Sequence, residues 1–131
     1  MIYQLTGNLI FKHTHSIVLE CNNVGYEIFM PRIQDMEKNK EYKVLIYESF
    51  GETYRNLFGF LTEEDKNMFF IFKSIKGFGC RSIISILNKM TTQEIIEAVQ
   101  KQDIDCFLQL PYVNDSNVNE IMFELSRKFL P

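Results

Sequence analysis

Apolar and polar residues alternate through the first part of the chain, in five short runs separated by turn-forming positions. The runs cover residues 5–11, 16–21, 24–30, 43–50 and 55–60. Such alternation is typical of a β-strand with one buried face. Asn22-Asn23 separates the second and third runs, and the pair predicts a tight hairpin because asparagine tolerates a positive φ. Five short strands in this order predict a small β-barrel of the OB kind.

A helical period replaces the alternation from residue 62 onward. Thr62 precedes three acidic residues at 63–65, which is the pattern of a helix N-cap followed by charges that interact favourably with the helix dipole. Apolar residues then recur at helical spacing in four more segments, at 82–87, 92–99, 104–110 and 117–129. The sequence therefore predicts an α+β chain, with a five-stranded OB-like β-barrel domain over 1–61 and an all-α domain over 62–131.

The charge balance is slightly acidic in both predicted domains. The net charge is −3, with six Lys and Arg against seven Asp and Glu in residues 1–61, and eight against ten in residues 62–131. Proteins that bind along phosphate backbones usually carry a basic excess. Any nucleic-acid binding must therefore come from local geometry and a few placed cations.

Candidate residues for catalysis or metal binding are few. The cysteines Cys21, Cys80 and Cys106 have no CxxC spacing, which predicts reduced, mostly buried thiols, with a catalytic cysteine as the open alternative. His13 and His15 are either a metal pair or part of a solvated turn, and the turn is favoured because no acidic or cysteine partner lies near. We find no P-loop, no nucleophile–base pair and no paired acids at metal spacing. We therefore predict no catalytic residue, no metal and no cofactor.

The apolar runs are too short to cross a bilayer, and the start of the chain does not have the pattern of a signal peptide. These features predict a cytoplasmic protein with no membrane partner.

The most informative segment joins the first two predicted helices. It carries Gly77-Phe78-Gly79 followed at once by a new helix, which is the helix-hairpin-helix pattern. Backbone N–H groups at such a helix N-terminus can bind a phosphate, and Arg81 can add a charged contact. The alternative is a tight turn with a glycine C-cap. The candidate DNA-binding residues are Gly77, Phe78, Gly79, Cys80, Arg81 and Ser82.

A second segment fits the same frame without its glycines. Leu110-Pro111 leads into an apolar helix, but Tyr112 and Asn114 stand where glycines are expected. Asp115 stands at the start of the helix, where it repels phosphate and suits an N-cap. This predicts a tandem helix-hairpin-helix domain whose second hairpin is structural.

Several motifs together resemble the RuvA family, whose members recognise Holliday junctions. They are Val24-Gly25-Tyr26-Glu27, Met30-Pro31, Leu57-Phe58-Gly59-Phe60 and Gly77-Phe78-Gly79-Cys80-Arg81. The resemblance extends over essentially all 131 residues. It implies a non-catalytic subunit that binds four-way junction DNA as a homotetramer, for branch migration in recombination and DNA repair. It also implies a partner, the ATPase motor RuvB.

The resemblance also marks departures from the family pattern. Glu52 matches the first residue of the family's acidic pin, whereas Thr53 stands in place of the second acid, so Glu52 is either a weakened pin or a solvated turn residue. At the second hairpin, expected cations are replaced by Asp115, Ser116 and Glu120. The family's C-terminal RuvB-binding domain is expected to be missing. The alternative function is a degenerate RuvA-like scaffold or protein-interaction subunit with little DNA affinity.

Overall fold

The first part of the protein is a closed five-stranded β-barrel. A computed structural model describes residues 1–130. The strands are β1 (Gln4–Lys12), β2 (Ser16–Cys21), β3 (Val24–Phe29), β4 (Glu41–Phe50) and β5 (Arg55–Phe60). They close in the order β1-β2-β3-β5-β4, and all pairs are antiparallel except β3 with β5. The barrel and the helices that follow it confirm the predicted fold class.

The predicted hairpin between β2 and β3 has the expected backbone. Asn22 and Asn23 adopt φ of 50° and 67°. Two consecutive residues with positive φ match the right-handed twist of the flanking strands, so the pair can close the hairpin in two residues. The register of β2 and β3 is thereby set locally, with Cys21 opposite Val24.

Alternate residues of the strands fill the barrel. The core includes residues that are at most 2% exposed, namely Leu9, Ile17, Leu19, Ile28, Val44 and Ile46. Gly59 on β5 is required by this packing, because a Cβ there would lie 2.5 Å from the Ile28 side chain and 2.6 Å from the Val44 side chain. Contacts this short cannot be relieved without moving the core.

Five helices follow the barrel. They are α1 (Glu63–Lys73), α2 (Cys80–Lys89), α3 (Thr92–Gln100), α4 (Ile104–Leu108) and α5 (Val118–Phe129). Their buried side chains include Phe69, Phe72, Ile83, Leu87, Ile95, Phe107, Ile121 and Leu125. No helix in the described range is both long enough and apolar enough to span a membrane.

Side-chain caps start three of these helices. The Thr62 hydroxyl accepts a hydrogen bond of 3.1 Å from the backbone N–H of Asp65, which confirms the predicted N-cap of α1. Thr91 and Glu94 form a reciprocal capping box at α3. The Asp103 carboxylate caps α4. Each cap satisfies backbone donors that have no partner inside the helix.

Internal contacts divide the chain into two compact units, Met1–Lys66 and the residues from Asn67 onward. This division falls inside α1, whereas the predicted domain boundary after residue 61 lies ahead of that helix. The boundaries 1–61 and 62–131 stay a prediction.

The cysteines differ from expectation in their burial. Cys21, Cys80 and Cys106 are free thiols, but each is partly exposed rather than buried. Cys21 is the last residue of β2 and Cys80 the first residue of α2.

A buried carboxylate connects the start of the chain to β4 and β5. Glu48 is only 2% exposed, and it accepts a hydrogen bond of 2.7 Å from the backbone N–H of Ile2. It also forms an ion pair with Arg55. The Ile2 hydrogen bond and the Arg55 charge hold the pKa of Glu48 below its ordinary value, although burial opposes this shift.

Removing this carboxylate should change how stability depends on pH. A lowered folded-state pKa means that ionised Glu48 stabilises the fold above its unfolded-state pKa of about 4.3, and that this stabilisation is lost as pH falls through the lower folded-state value. We expect Glu48→Gln to be less stable than the native protein in urea unfolding at pH 7. The difference should shrink at pH 3.

Glu52→Gln is the matched control, because Glu52 is exposed, and we expect it to unfold within about 0.5 kcal/mol of the native protein. An equal deficit for Glu48→Gln at both pH values would contradict the assignment.

Candidate nucleic-acid interface

The first hairpin connects α1 to α2 through residues 74–79. Ile75 is 3% exposed, and its backbone N–H donates to the Phe72 carbonyl at 3.0 Å. Gly77 then takes a φ of +101°, which an L side chain rarely adopts. Phe78 packs edge-to-face against Phe72, with ring centroids 5.7 Å apart. The apolar contacts on each side of Gly77 therefore hold the turn against α1.

Gly79 begins α2 without supplying a cap. Its φ of −86° and ψ of 167° are extended, and its carbonyl accepts the first helical hydrogen bond from Ile83 at 3.1 Å. No side chain in the described part of the chain caps this helix start. A Cβ at Gly77 or Gly79 would meet no atom within 4 Å. The first turn of α2 therefore faces open space, where a backbone could approach closely.

The charges around this helix start suit an anion. Arg81 lies in the first turn and is exposed, and that turn holds no acidic residue. Lys73 and Lys76, at the end of α1 and in the turn, are also exposed. Backbone N–H groups and the positive end of the helix dipole can bind a phosphate at such a position.

The cysteine within the segment is poorly suited to nucleophilic chemistry. Burial raises the pKa of the Cys80 thiol above 9.0, and the nearby charge of Lys73 and a hydrogen bond to its own backbone only partly oppose this shift. Burial also raises the pKa values of Cys21 and Cys106. A thiol with a raised pKa is protonated at neutral pH and is a weak nucleophile.

The second hairpin repeats the backbone of the first at an offset of 35 residues. Tyr112, with a φ of +66°, stands in the place of Gly77, and Asn114 stands in the place of Gly79. The hydrogen bonds agree with this offset. They run from Leu110 N–H to the Phe107 carbonyl at 3.0 Å and from Val118 N–H to the Asn114 carbonyl at 2.9 Å. The hairpin thus keeps its shape without glycine.

Asn114 caps the turn that leads into α5 with its own side chain, whereas Asn117, the N-cap residue of α5, has no side-chain cap. Its Oδ1 accepts hydrogen bonds from the backbone N–H groups of Ser116 at 2.9 Å and Asn117 at 3.2 Å. The Asn117 side chain reciprocates by accepting from the Asn114 N–H at 2.9 Å. The expectation that Asp115 is the N-cap was wrong, because α5 begins at Val118 and its N-cap residue is Asn117, two positions after Asp115.

The Asn117 side chain also stabilises Tyr112, the residue with the positive φ. Its Nδ2 donates to the Tyr112 carbonyl at 2.9 Å. The reciprocal pair of Asn114 and Asn117 was missed in the sequence, although an Asn followed three residues later by a polar side chain is close to a capping-box pattern. Tyr112, Asp115 and Glu120 are exposed.

Glu52 lies in the turn between β4 and β5. It is exposed and belongs to the barrel unit, whereas the six residues from Gly77 to Ser82 belong to the helical unit. Phe50 and Tyr54 on either side of it are 58% and 54% exposed.

Comparisons with known proteins agree with the fold. A family model described as the RuvA N terminal domain matches residues 1–59. The chain is similar to the Holliday junction branch migration complex subunits RuvA of three bacteria. Identity is 30% with that of Mesomycoplasma hyopneumoniae, 31% with that of Burkholderia lata and 29% with that of Polynucleobacter asymbioticus.

These matches cover 98%, 98% and 100% of this chain. They cover 57%, 68% and 69% of the respective relatives. The chain therefore spans little more than half the length of the first of these relatives and about two thirds of the other two.

The positive φ at Gly77 generates a stability prediction. We expect Gly77→Ala to lose about 1 kcal/mol of unfolding free energy, because a Cβ disfavours this backbone conformation even though open space surrounds it. Gly77→Asn should lose less, since asparagine tolerates positive φ, as Asn22 and Asn23 do here. Urea unfolding of the three proteins tests this, and equal stability of the alanine variant would contradict it.

Proposed function

Because the chain belongs to the RuvA family, we propose that it binds four-way junction DNA as a non-catalytic subunit. Its role is to support branch migration in homologous recombination and DNA repair. The DNA-binding residues are Gly77, Phe78, Gly79, Cys80, Arg81 and Ser82.

The start of α2 is the observation that carries this proposal. A phosphate placed beyond Gly79 would meet the backbone N–H groups in the first turn of α2. Arg81 lies in the same turn and is exposed, so its guanidinium could bind the same phosphate. The Phe78 ring packs against the Phe72 ring of α1 and stabilises the turn. Contacts of this type follow the sugar-phosphate backbone and carry no base sequence, as recognition of junction shape requires.

The acidic balance of the chain is compatible with this mode of binding. With a net charge of −3, long-range attraction to DNA is weak. Affinity must then come from short-range contacts at the hairpin, multiplied over several copies of the chain. A homotetramer would supply four such hairpins around one junction.

The other partners follow from the same assignment. The energy for branch migration would come from an ATPase motor of the RuvB type, and this chain would supply no catalysis of its own. Glu52, exposed at the β4–β5 turn, would act as a weak acidic pin that repels phosphates at the crossover.

Changing Arg81 tests the hairpin. We expect Arg81→Ala to weaken junction binding by about tenfold, which is typical of a lost charge-assisted hydrogen bond. The dependence of log affinity on log salt should become shallower by about one unit for each phosphate contact removed. Fluorescence anisotropy with a labelled four-way junction at two salt concentrations measures both effects.

Lys89→Ala is the matched control, because Lys89 lies in the last turn of the same helix and its loss changes the net charge equally. The mass in solution should be four times the chain mass of 15.5 kDa. Equal affinities for Arg81→Ala and Lys89→Ala would contradict the assigned site. Absence of junction binding by the native protein at low salt would instead favour a scaffold role.

A further inference from the structure

We propose that the Asn114 side chain closes the second hairpin to phosphate, so that each chain contacts DNA through its first hairpin alone. This proposal rests on the proposed function and concerns which of the two hairpins can bind DNA. The sequence suggested loss of charge at Asp115 as the cause. The structure assigns a different cause, which is occupation of the binding groups by a side chain of the protein itself.

One difference between the two hairpins lies at Gly79, whose equivalent is Asn114. At the first, Gly79 has no side chain and α2 has no side-chain cap. At the second, Asn114 Oδ1 accepts from the backbone N–H groups of the second and third residues after it, Ser116 and Asn117. These are the donors that would bind a phosphate oxygen at a helix N-terminus. The Asn114 amide oxygen thus takes the position of a phosphate oxygen.

Further contacts hold this oxygen in place. Asn114 Oδ1 also accepts from the Ser116 hydroxyl, and the Asn117 side chain accepts from the Asn114 backbone N–H. A phosphate could reach the two amide groups only after the Asn114 side chain had rotated away. The energy of a typical N-cap corresponds to about a tenfold loss of phosphate affinity.

Exclusion of DNA by the Asn114 side chain and exclusion by the Asp115 charge lead to different predictions. If the Asp115 carboxylate alone excludes DNA, neutralising it restores the site. If Asn114 excludes DNA, neutralising Asp115 leaves both amide groups occupied. Removal of the Asn114 side chain opens the Ser116 amide, whereas the Asn117 amide also donates to the Asn114 carbonyl at 3.2 Å. The side chain at 114 and the charge at 115 can be changed separately because they are different residues.

The test compares Asp115→Asn, Asn114→Gly/Asp115→Asn and Asn114→Ser/Asp115→Asn with the native protein. Junction affinity is measured by fluorescence anisotropy at two salt concentrations. We expect Asp115→Asn to bind within about twofold of the native protein. The glycine double variant should bind about tenfold more tightly, with a salt dependence steeper by about one unit per opened hairpin. The serine double variant keeps a capping side chain and should show no such gain.

Gly79→Asn is the reciprocal variant. It places the closing side chain at the first hairpin, where φ is −86° and a Cβ meets no atom within 4 Å. We expect its thermal midpoint to equal or exceed that of the native protein, since Asn is a better N-cap than Gly. Its junction affinity should fall about tenfold.

The outcomes separate this proposal from the function on which it rests. Absence of junction binding by the native protein contradicts the proposed function, but a gain by the glycine double variant would still support closure. If Asp115→Asn gains as much junction affinity as the glycine double variant, the Asp115 charge excludes DNA and the Asn114 side chain does not. That result overturns the proposal. The proposal is also overturned if neither Asp115→Asn nor the glycine double variant binds the junction more tightly than the native protein.

Discussion

The backbone N–H groups at the helix starts are the constraint on which the helical unit and its proposed activity both depend. The first donors of a helix have no partner inside it, so each start needs a side chain, water or a ligand. Thr62, Thr91 and Asp103 supply side chains at α1, α3 and α4, and Asn114 does so at the turn that leads into α5. At α2 the equivalent residue is Gly79, which has none. Side chains thus cap three helix starts and the turn ahead of α5, whereas at α2 we propose that an external anion takes their place.

This arrangement explains how an acidic chain can belong to a family named for a DNA junction. A broad basic face would bind DNA through long-range attraction, but here the predicted domains 1–61 and 62–131 each carry slightly more acidic than basic residues. A helix start needs no such excess, because fixed dipoles and one nearby cation act at short range. Affinity then depends on the backbone conformation at Gly77 and Gly79 more than on net charge.

The barrel is held together by different means. Its register follows from local turns such as Asn22-Asn23 and from alternation of buried side chains, while Glu48 ties Ile2 and Arg55 to the strand that leads into the Glu52 turn. A buried carboxylate in this position is sensitive to its partners, since losing either of them leaves a charge with incomplete compensation. The barrel therefore holds the β4–β5 turn through a polar contact as well as through its core.

The sequence by itself determined much of this protein. Alternation predicted the five strands, because period two places every second side chain in one core. Thr62 predicted a helix start, because capping depends on residues only three positions apart. The glycine hairpin and the family motifs are equally local patterns, and they were sufficient to suggest the family.

Only the tertiary structure decided which groups the polar side chains bind. The hydrogen-bond partner of Glu48 is Ile2, which is 46 positions away, and nothing in the local pattern at residue 48 indicates that contact. The sequence suggested Asp115 as a cap, whereas in the structure Asn114 supplies the capping side chain, and this depended on where the chain turned into the helix after Tyr112. A hydrogen bond requires a donor and an acceptor within about 3 Å. That distance is set by the folded path of the backbone, so composition and periodicity do not determine it.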